Sequence, residues 1–477
     1  MRKAAVLLAV LLAICISAVA ILGSAIHKAC DQVVLTEHTL SGDPQAAEGL
    51  QIRYKTGYDN RLIWETEFTP KGEAETAYSF SAEPRYPTPY YERSGLSITS
   101  AAHDLYLTDE GEFAYGLGEA AKALYESLQP GEEGTVTVRV ADYLDYYPMA
   151  VTLDLEDGMH GASSYEIMAQ LDEGGITNPY TAALLPIFEY FKIPILPEET
   201  CQISVGVNAG GTIGSLGSGS AEGDAYYLYT YNAATEDAVY FTIHTHSVEG
   251  QVVDTSLLPD GYGLFRIPLD PMHVDEDGDS DGPLVAKEMK MVYPLDPADE
   301  VLYLHTDEEE RQLLLWIRED GMLCLHVIDI ETMEQLQHLK IAPWEQGKGS
   351  GAFFDREGYV VALLWHSEEM AVICRHTDGK WALDWICPVE AEQTKLMSRY
   401  RMALAYDGEK LAVCDTAWNY DYRIENGADL CLSVYDASGL LYYGLLESSL
   451  STGLDADNWD YHVAEYGAFP IQLEWIS

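Results

Sequence analysis

The sequence predicts an all-β protein that repeats a four-stranded antiparallel unit along an exported chain. Three observations carry this prediction: a repeat period of about 50 residues, frequent aromatic residues, and an apolar N-terminal run. The chain of 477 residues contains 33 Tyr and 9 Trp, and aromatic residues are enriched in strands. Because 47% of the residues are hydrophobic, the chain can bury a large core, which argues against global disorder.

The N-terminal segment indicates export. Arg2 and Lys3 precede an uncharged, mostly apolar run over 4–26. This run exceeds the roughly 20 residues that span a bilayer, and the two basic residues favour a cytoplasmic N-terminus. The Ala-Val-Ala tripeptide at 18–20 also fits the small-x-small cleavage pattern of a signal peptide. The segment therefore predicts either a membrane anchor or a cleaved signal, with the rest of the chain extracytoplasmic.

The repeat is clearest in four segments. Each reads as a strand, a polar or acidic stop, a short turn and a second strand, and they lie at 225–243, 322–341, 370–387 and 429–446. The stop residues are Asn232, Asp329, Asp378 and Asp436. Their successive spacings are 97, 49 and 58 residues, so the first spacing is close to two periods and the others are close to one.

A second hairpin precedes three of these segments. It consists of a strand, a turn rich in Asp, Glu or Gly, and another strand, and it lies at 301–317, 352–365 and 402–414. Joined in order, the two hairpins give four strands per repeat, at the period of about 40 to 50 residues that characterises propeller blades. The sequence therefore resembles β-propeller repeat proteins in general, although it has no Trp-Asp signature of the WD40 type.

The resemblance implies a specific arrangement of blades. A single four-stranded sheet cannot cover both of its faces, whereas radially stacked blades cover one another; the alternative, an array of β-sandwiches, needs no fixed period. We expect about seven four-stranded blades, with six or eight as alternatives, over roughly 40–95, 96–156, 157–246, 250–295, 300–342, 350–390 and 400–448. The tail at 459–477 could add a closing strand to the first blade.

Three stretches interrupt the strand pattern. The Ala-, Leu- and Glu-rich residues 118–129 predict a short helix, and residues 179–192 predict another helix or a buried loop. Residues 210–223 are rich in Gly and Ser, a composition typical of a flexible hairpin loop.

Charge and cysteine usage exclude some functions. Lys and Arg number 27 against 78 Asp and Glu, which gives a net charge of −51. Such a charge repels phosphate groups, so it excludes nucleic acid as a main partner and disfavours docking of the folded domain on anionic lipid. The eight cysteines form no C-x-x-C pair and do not indicate a zinc or redox framework. Buried reduced thiols are expected, with disulfides as the alternative in an oxidising compartment.

Motifs of known catalytic centres are absent. The chain lacks the G-x-S-x-G elbow, the phosphate-binding loop and the H-E-x-x-H zinc helix. His244 and His246 alternate along a predicted strand, so both would face one side and could bind a metal; a polar strand face is the competing interpretation. Carboxylates are too numerous for a glycosidase-type catalytic pair to be recognised by spacing.

One acidic segment has the spacing of a calcium loop. Residues 277–288 match D-x-[DN]-x-[DN]-G-x5-E in full, and calcium prefers the oxygen ligands that such a loop supplies. A strand-like stretch precedes the loop where an EF-hand has a helix, so we predict a calcium loop between strands, with a solvated acidic loop as the alternative. The predicted metal ligands are Asp277, Asp279, Asp281, Pro283 and Glu288.

These observations lead to two functional hypotheses. The first is a membrane-tethered propeller, with the anchor or signal over 1–30 and the folded domain over 31–477, that acts at the cell surface as a binding or scaffolding module for a protein or carbohydrate ligand. The alternative is an extracellular enzyme that acts on carbohydrate or peptide at the central channel. Fold alone does not decide between them, whereas a cluster of carboxylates with an Arg or His would favour the enzyme.

Overall fold

A computed structural model describes the chain over residues 11–21, 34–58, 62–72, 74–80, 95–100, 103–108, 111–155, 158–220, 226–247, 254–271, 284–307, 311–344, 350–356, 358–365, 370–389, 402–416, 429–449 and 471–476. Residues 11–21 are helical and are labelled α1. Within this part of the chain, no helix combines the length and apolar character that crossing a membrane requires. The rest of the N-terminal apolar run lies outside the described residues.

The chain divides into two compact units. Unit 1 comprises residues 1–91, 350–376 and 382–477, and unit 2 comprises residues 92–349 and 377–381. The strands of the described residues form seven antiparallel sheets of three to five strands. The protein is thus an all-β chain of many small antiparallel sheets, with a helical insertion in unit 2.

The first sheet of unit 1 joins the two ends of the chain. Its N-terminal strands are β2 (Leu50–Tyr58), β3 (Leu62–Phe68) and β4 (Glu75–Phe80), and β28 (Ile471–Trp475) pairs with the free edge of β2. In this register Ile52 lies opposite Leu473. The closing strand predicted in the C-terminal tail is therefore confirmed, and the strands of this sheet match the first predicted blade.

Two further sheets belong to unit 1, except that residues 377–381 of the first sheet fall in unit 2. One contains, in spatial order, β20 (Ser350–Arg356), β21 (Tyr359–Trp365), β22 (Met370–Thr377) and β23 (Lys380–Pro388). The other contains β24 (Ala403–Tyr406), β25 (Leu411–Thr416), β26 (Leu430–Asp436) and β27 (Gly439–Ser448), and its fifth, edge strand is β1 (Leu35–Gly42).

The corresponding sheet of unit 2 is the most regular. It contains β16 (Glu300–Asp307), β17 (Gln312–Glu319), β18 (Met322–Asp329) and β19 (Gln335–Pro343) in sequence order. Both residues of the β17–β18 turn, Asp320 and Gly321, have positive φ angles of 49° and 75°, as a tight type I′ hairpin requires. The prediction that 301–341, 351–387 and 402–446 each form one four-stranded antiparallel unit is confirmed.

Upstream, the predicted boundaries are only partly correct. A five-stranded sheet combines β11 (Tyr226–Ala234), β12 (Ala238–Ser247), β13 (Gly263–Pro271), β14 (Leu284–Ala286) and β15 (Lys290–Pro294). Asn232 does not stop a strand but lies inside β11. Its side-chain amide donates to the Leu96 carbonyl at 2.7 Å and its oxygen accepts from the Leu96 amide at 3.1 Å, so it is a polar link between two sheets.

The predicted blades at 96–156 and 157–246 are wrong as units. Two three-stranded sheets occupy this region: β5 (Leu96–Ser100) with β7 (Met149–Leu155) and β8 (Gly158–Ser163), and β6 (Glu133–Arg139) with β9 (Thr200–Val207) and β10 (Ile213–Ser220). The predicted blade at 96–156 contains both β6 and β7, but the full length of β6 pairs with β9. Residues 210–223 are not only a loop, because backbone bonding to β9 turns their Gly- and Ser-rich sequence into the edge strand β10.

Three helices pack in the same region. Helices α2 (Leu117–Ser127) and α4 (Pro179–Tyr190) confirm the two predicted interruptions of the strand pattern. Helix α3 (Ser164–Glu173) was not expected, although it begins with a capping box between Ser163 and Glu166. Fully buried side chains of α2 and α4, among them Leu117, Leu184 and Ile187, join one core with the strands around them.

A second core of unit 2 lies between two sheets. Leu304, Leu315 and Ile317 of the β16–β19 sheet pack in one cluster with Tyr240 and Leu264 of the β11–β15 sheet. Each is at most 2% exposed, and burying one such aliphatic side chain contributes about 1.5–3 kcal/mol. This packing fixes the two sheets against each other around the polar groups described below.

Candidate functional site

Polar side chains converge at two places in the described residues. The first, which we call the Trp475 cleft, lies in unit 1, and the second, which we call the Glu319 cluster, lies in unit 2. The cleft is an open cavity, whereas the cluster is set between strands. We describe the two sites in turn.

The Trp475 cleft has a volume of about 800 Å³, which is within the size range of small-molecule sites. It forms where the β24–β25 turn meets strand β28 and the start of β2. Its walls carry three aromatic side chains, several carboxylates and one lysine. The lining residues are Glu48, Gly49, Tyr359, Leu404, Ala405, Tyr406, Asp407, Gly408, Glu409, Lys410, Leu473, Glu474, Trp475 and Ile476.

The β24–β25 turn is stabilised by the side chain of Asp407, which is one of its own residues. The Asp407 carboxylate accepts hydrogen bonds from the backbone amides of Glu409 at 2.8 Å and Lys410 at 2.6 Å. Gly408 adopts a φ of 102°, which favours glycine. This turn therefore holds Glu409 and Lys410 in fixed backbone positions at the edge of the cleft.

Trp475 is fixed at the wall of the cleft. Its indole Nε1 donates to the Ala405 carbonyl at 3.2 Å. The Lys410 ammonium lies 5.4 Å from the indole centroid, within cation–π distance, and also donates to the Ala46 carbonyl at 3.2 Å. A half-exposed indole of fixed orientation offers a ligand an apolar surface at low cost in conformational entropy.

A polar network supports Tyr406 from behind the cleft. Its hydroxyl donates to Asp384 at 2.6 Å and accepts from Arg375 at 3.2 Å and from the Trp385 indole at 3.1 Å. Arg375 and Asp384 also form an ion pair at 2.8 Å. Burial and the hydrogen bond to Asp384 raise the pKa of Tyr406, so the phenol stays neutral and its ring position is defined.

The cleft combines apolar faces with hydrogen-bond acceptors. Rings such as Trp475 and Tyr406 can stack on the apolar face of a ligand, while carboxylates such as those of Glu409 and Glu474 accept from its hydroxyl or ammonium groups. This chemistry suits a polyhydroxylated or cationic ligand and repels an anionic one.

The Glu319 cluster comes from three neighbouring strands. Glu319 ends β17, Cys324 and His326 lie on β18, and His338 lies on β19 opposite His326. One carboxylate oxygen of Glu319 is 2.5 Å from His338 Nε2, and the other is 3.2 Å from His326 Nε2. Ligand atoms of Glu319, Cys324 and His338 all lie within 4.8 Å of one another.

Tyr293 and Gln335 orient His326 within the cluster. The Tyr293 hydroxyl donates to Gln335 Oε1 at 2.6 Å and lies 3.2 Å from His326 Nδ1. The two imidazole rings of His326 and His338 meet edge to face, with centroids 4.6 Å apart. Both nitrogens of His326 therefore face a specific polar partner.

Titratable groups in and beside this cluster are perturbed. Burial, reinforced by Glu319, raises the pKa of the Cys324 thiol to about 12, and burial lowers the pKa of His326. Burial and the neighbouring carboxylates Asp296 and Glu319 raise the pKa of Asp299 to about 6. Perturbed groups that converge in this way are typical of functional sites, although structural networks also produce them.

The predicted calcium loop is mostly outside the described residues. This applies to Asp277, Asp279, Asp281 and Pro283, whereas Glu288 is described and lies exposed between β14 and β15. In the predicted histidine pair, His244 is 9% exposed on β12, and the side chain of His246 lies outside the described residues. The histidines that the structure does bring together face each other across two strands, at 326 and 338.

The cysteine prediction is confirmed for the described residues. None of the seven described cysteines forms a disulfide, and Cys201, Cys324, Cys374, Cys387 and Cys414 are buried. Cys30 lies outside the described residues. Cysteine spacing alone could not show that Cys324 lies beside a carboxylate and an imidazole, because those partners come from the strands on either side of β18.

Comparison with known proteins gives a weak structural likeness. No family model matches the chain, and no curated protein matches it. Among solved structures, the periplasmic gluconolactonase of Pseudomonas aeruginosa aligns at 10% identity over 84% of this chain and 95% of its own, with a TM-score of 0.30. The β-propeller domain of Myceliophteria thermophila Cps50 (Swd1) aligns at 11% identity over 51% and 82%, at 0.23. The fucoside-bound Aleuria aurantia lectin aligns at 8% identity over 86% and 97%, at 0.25. Likeness at these scores carries no argument about function.

Proposed function

We propose that this chain is an extracytoplasmic β-propeller that binds a carbohydrate in the Trp475 cleft. The observation that carries the proposal is the cleft itself, where the fixed indole of Trp475 and the ring of Tyr406 share one cavity with several carboxylates. Sugars present an apolar face and a rim of hydroxyls, so this combination of stacking surface and acceptors is complementary to them. The proposal keeps the binding-module hypothesis and names its ligand class.

The regular sheets support the propeller part of the proposal. Three antiparallel units of four consecutive strands follow one another at 300–343, 350–388 and 403–448, and the last also carries β1 at its edge. The N-terminal strand β1 pairs with β27, while the C-terminal strand β28 pairs with β2. The two pairings tie strands from near both ends of the chain into sheets of unit 1. We propose about seven blades, or six if the β6–β9–β10 sheet is an insertion.

Carbohydrate binding is tested by calorimetric titration. We expect saturable binding of at least one neutral oligosaccharide from a panel, and more than about tenfold weaker binding by Trp475→Ala, since loss of a central aromatic contact costs about 2 kcal/mol or more and about 1.4 kcal/mol is tenfold. Trp475→Phe should restore most of the affinity because it keeps a stacking ring.

The matched control is Tyr229→Ala, which removes an aromatic residue of unit 2 that is 43% exposed and does not line the cleft. Its affinity should equal that of the wild type. Absence of binding across the panel, or equal weakening by Trp475→Ala and Tyr229→Ala, would reject the cleft as the carbohydrate site.

Glycoside hydrolysis is a second candidate function. The observation that favours it is that Glu409 and Glu474 line the same cavity, because most glycosidases use a pair of carboxyl groups on either side of the scissile bond. Glu409→Gln and Glu474→Gln should then abolish turnover of a bound oligosaccharide while they preserve its affinity. If the wild type binds an oligosaccharide without hydrolysing it, glycoside hydrolysis is rejected and the binding-module function stands.

Location and calcium binding are further parts of the proposal. We propose that the 1–30 segment tethers the chain to the cell membrane, or is cleaved to release it. Retention in membranes after carbonate extraction tests the tether. We also propose calcium binding at the 277–288 loop, which should raise the melting temperature with calcium concentration. Equal calcium heats for the wild type and Asp279→Ala would reject that site.

A further inference from the structure

The Glu319 cluster contains the donors of a transition-metal site. A thiol, two imidazoles and a carboxylate meet across strands β17, β18 and β19, and three of their ligand atoms lie within 4.8 Å of one another. Zinc in proteins takes Cys sulfur, His nitrogen and carboxylate oxygen, with four ligands in a tetrahedron. Calcium and magnesium prefer oxygen ligands alone, so this donor set selects a softer cation.

The hydrogen bonds of His326 give a second, independent argument. Tyr293 donates to Gln335 Oε1 and lies 3.2 Å from His326 Nδ1, so this pair holds Nδ1 and leaves Nε2 turned toward Glu319; with Tyr293 as the acceptor, the imidazole hydrogen is on Nδ1. A neutral imidazole has one N–H. With that hydrogen on Nδ1, Nε2 can offer its lone pair to a metal ion beside the Glu319 carboxylate oxygen, which lies 3.2 Å away. In the metal-free chain His326 Nε2 and the Glu319 carboxylate are hydrogen-bonded, and a cation beside them would take the place of that hydrogen.

We propose that Glu319, Cys324 and His338 bind a zinc-class divalent cation, with His326 as the fourth donor. The Tyr293–Gln335 pair is the outer shell that sets the tautomer of His326, as a metal-bound histidine commonly requires. Cys324 is fully buried, so a bound ion is shielded on one side. His338 lies on the edge strand β19 with 31% of its side chain exposed, which gives the ion a path of entry.

Binding would couple the ion to the sheet. The donors come from three adjacent strands, so an ion would cross-link β17, β18 and β19 at the end that contains the Asp320–Gly321 turn. The Cys324 thiol would lose its proton to solvent on binding, since the thiolate is the ligand. This site is independent of the carbohydrate cleft, because it lies in unit 2 and shares no residue with it.

The test measures zinc bound by the full chain after dialysis against a buffer that contains excess calcium. We expect about one zinc per chain and a melting temperature that rises with zinc concentration. His338→Gln and Cys324→Ser should each weaken zinc binding by more than about 100-fold, beyond the loss of 10–100-fold expected for the outer-shell variant Tyr293→Phe. His305→Gln changes a histidine of the same sheet outside the cluster and should leave the affinity unchanged.

Cobalt substitution tests the thiolate ligand without a variant of the buried cysteine. The wild-type chain with cobalt should show a sulfur-to-cobalt charge-transfer band in the near ultraviolet, and His338→Gln should lose or shift it. Absence of retained zinc, zinc binding by His338→Gln equal to that of the wild type, or a cobalt spectrum without the sulfur band would each overturn the proposal. The cluster would then be a hydrogen-bonded network that holds no ion.

Discussion

The Trp475 cleft and the Glu319 cluster are both built on β-hairpins, but they use different parts of the hairpin. The cleft takes its side chains from the turn after β24 and from the terminal strand β28. The cluster takes its side chains from the ends and interior of three hydrogen-bonded strands, and Glu319, Cys324 and His326 are all mostly buried. Turn residues can change with little effect on packing, whereas strand residues cannot.

This difference separates ligand recognition from structural stability. An exposed carboxylate in the cleft is solvated in both the folded and the unfolded chain, so its removal affects ligand binding more than folding. A carboxylate in the cluster is the partner of two imidazoles, and its removal leaves both with an unmet bond. We therefore expect variants of the Glu319 cluster to lower the free energy of unfolding more than variants of the Trp475 cleft do.

Glu319→Ala should have the largest effect on stability. It removes the acceptor of His326 and His338 at once, and each buried polar group left without a partner costs about 1–3 kcal/mol. We expect the metal-free chain to lose about 3 kcal/mol of unfolding free energy, measured by urea denaturation in the presence of a chelator. Glu319→Gln keeps one acceptor oxygen and should lose less.

The matched control is Glu409→Ala, which removes an exposed carboxylate from the cleft. Surface substitutions of this kind change the unfolding free energy by less than about 0.5 kcal/mol. Equal effects of Glu319→Ala and Glu409→Ala would mean that the cluster does not stabilise the sheet, and the contrast between the two sites would be wrong.

Tyr406→Phe should have an intermediate effect and test the cleft side of the contrast. The change removes the hydroxyl that joins Asp384, Arg375 and Trp385 but keeps the ring that faces the cleft. Because the Arg375–Asp384 ion pair at 2.8 Å remains, we expect a loss of only about 1 kcal/mol in unfolding free energy. Carbohydrate affinity should change by less than about threefold, and a tenfold loss would show that the hydroxyl itself contacts the ligand.

The C-terminal sheets could be predicted because their signals are local. Each hairpin there combines apolar strands with a turn such as Asp320-Gly321 or Asp378-Gly379, and successive strands pair with their neighbours in sequence. The region around 95–220 departs from that rule. Strand β6 pairs with β9, although strands β7 and β8 and helices α3 and α4 lie between them in sequence, and no local pattern distinguishes β9 from β7 as its partner. The capping box of α3 at Ser163 and Glu166 was a readable signal.

Neither the Trp475 cleft nor the Glu319 cluster could be predicted from the sequence, in contrast to the C-terminal sheets. Local spacing in the sequence indicated one strand, at His244 and His246, and one contiguous loop, at 277–288. The cluster instead needs the register that places His326 opposite His338 and the tight turn that brings Glu319 beside them. The cleft joins the 407–410 turn to Trp475, which is distant in sequence, and only the pairing of β28 with β2 brings them together.

Asp299 gives the smallest expected effect and the sharpest test of burial beside the cluster. Burial, Asp296 and Glu319 raise its pKa to about 6, above the value of about 3.9 in an unfolded chain. Between these two pH values the folded state binds a proton that the unfolded state lacks, so this group lowers stability as pH rises from about 4 to 6. Above pH 6 both states are ionised and the penalty is constant.

Asp299→Asn should therefore stabilise the metal-free chain at pH 7 and have no effect near pH 4. Because Asp299 is only half-buried, solvent screening limits the gain to about 1 kcal/mol or less. The measurement is the difference in unfolding free energy between wild type and variant at several pH values, which cancels the titration of the other carboxylates. A difference that grows as pH falls would contradict the raised pKa. A difference that persists in Glu319→Ala would assign the shift to burial and Asp296 rather than to the charge of the cluster.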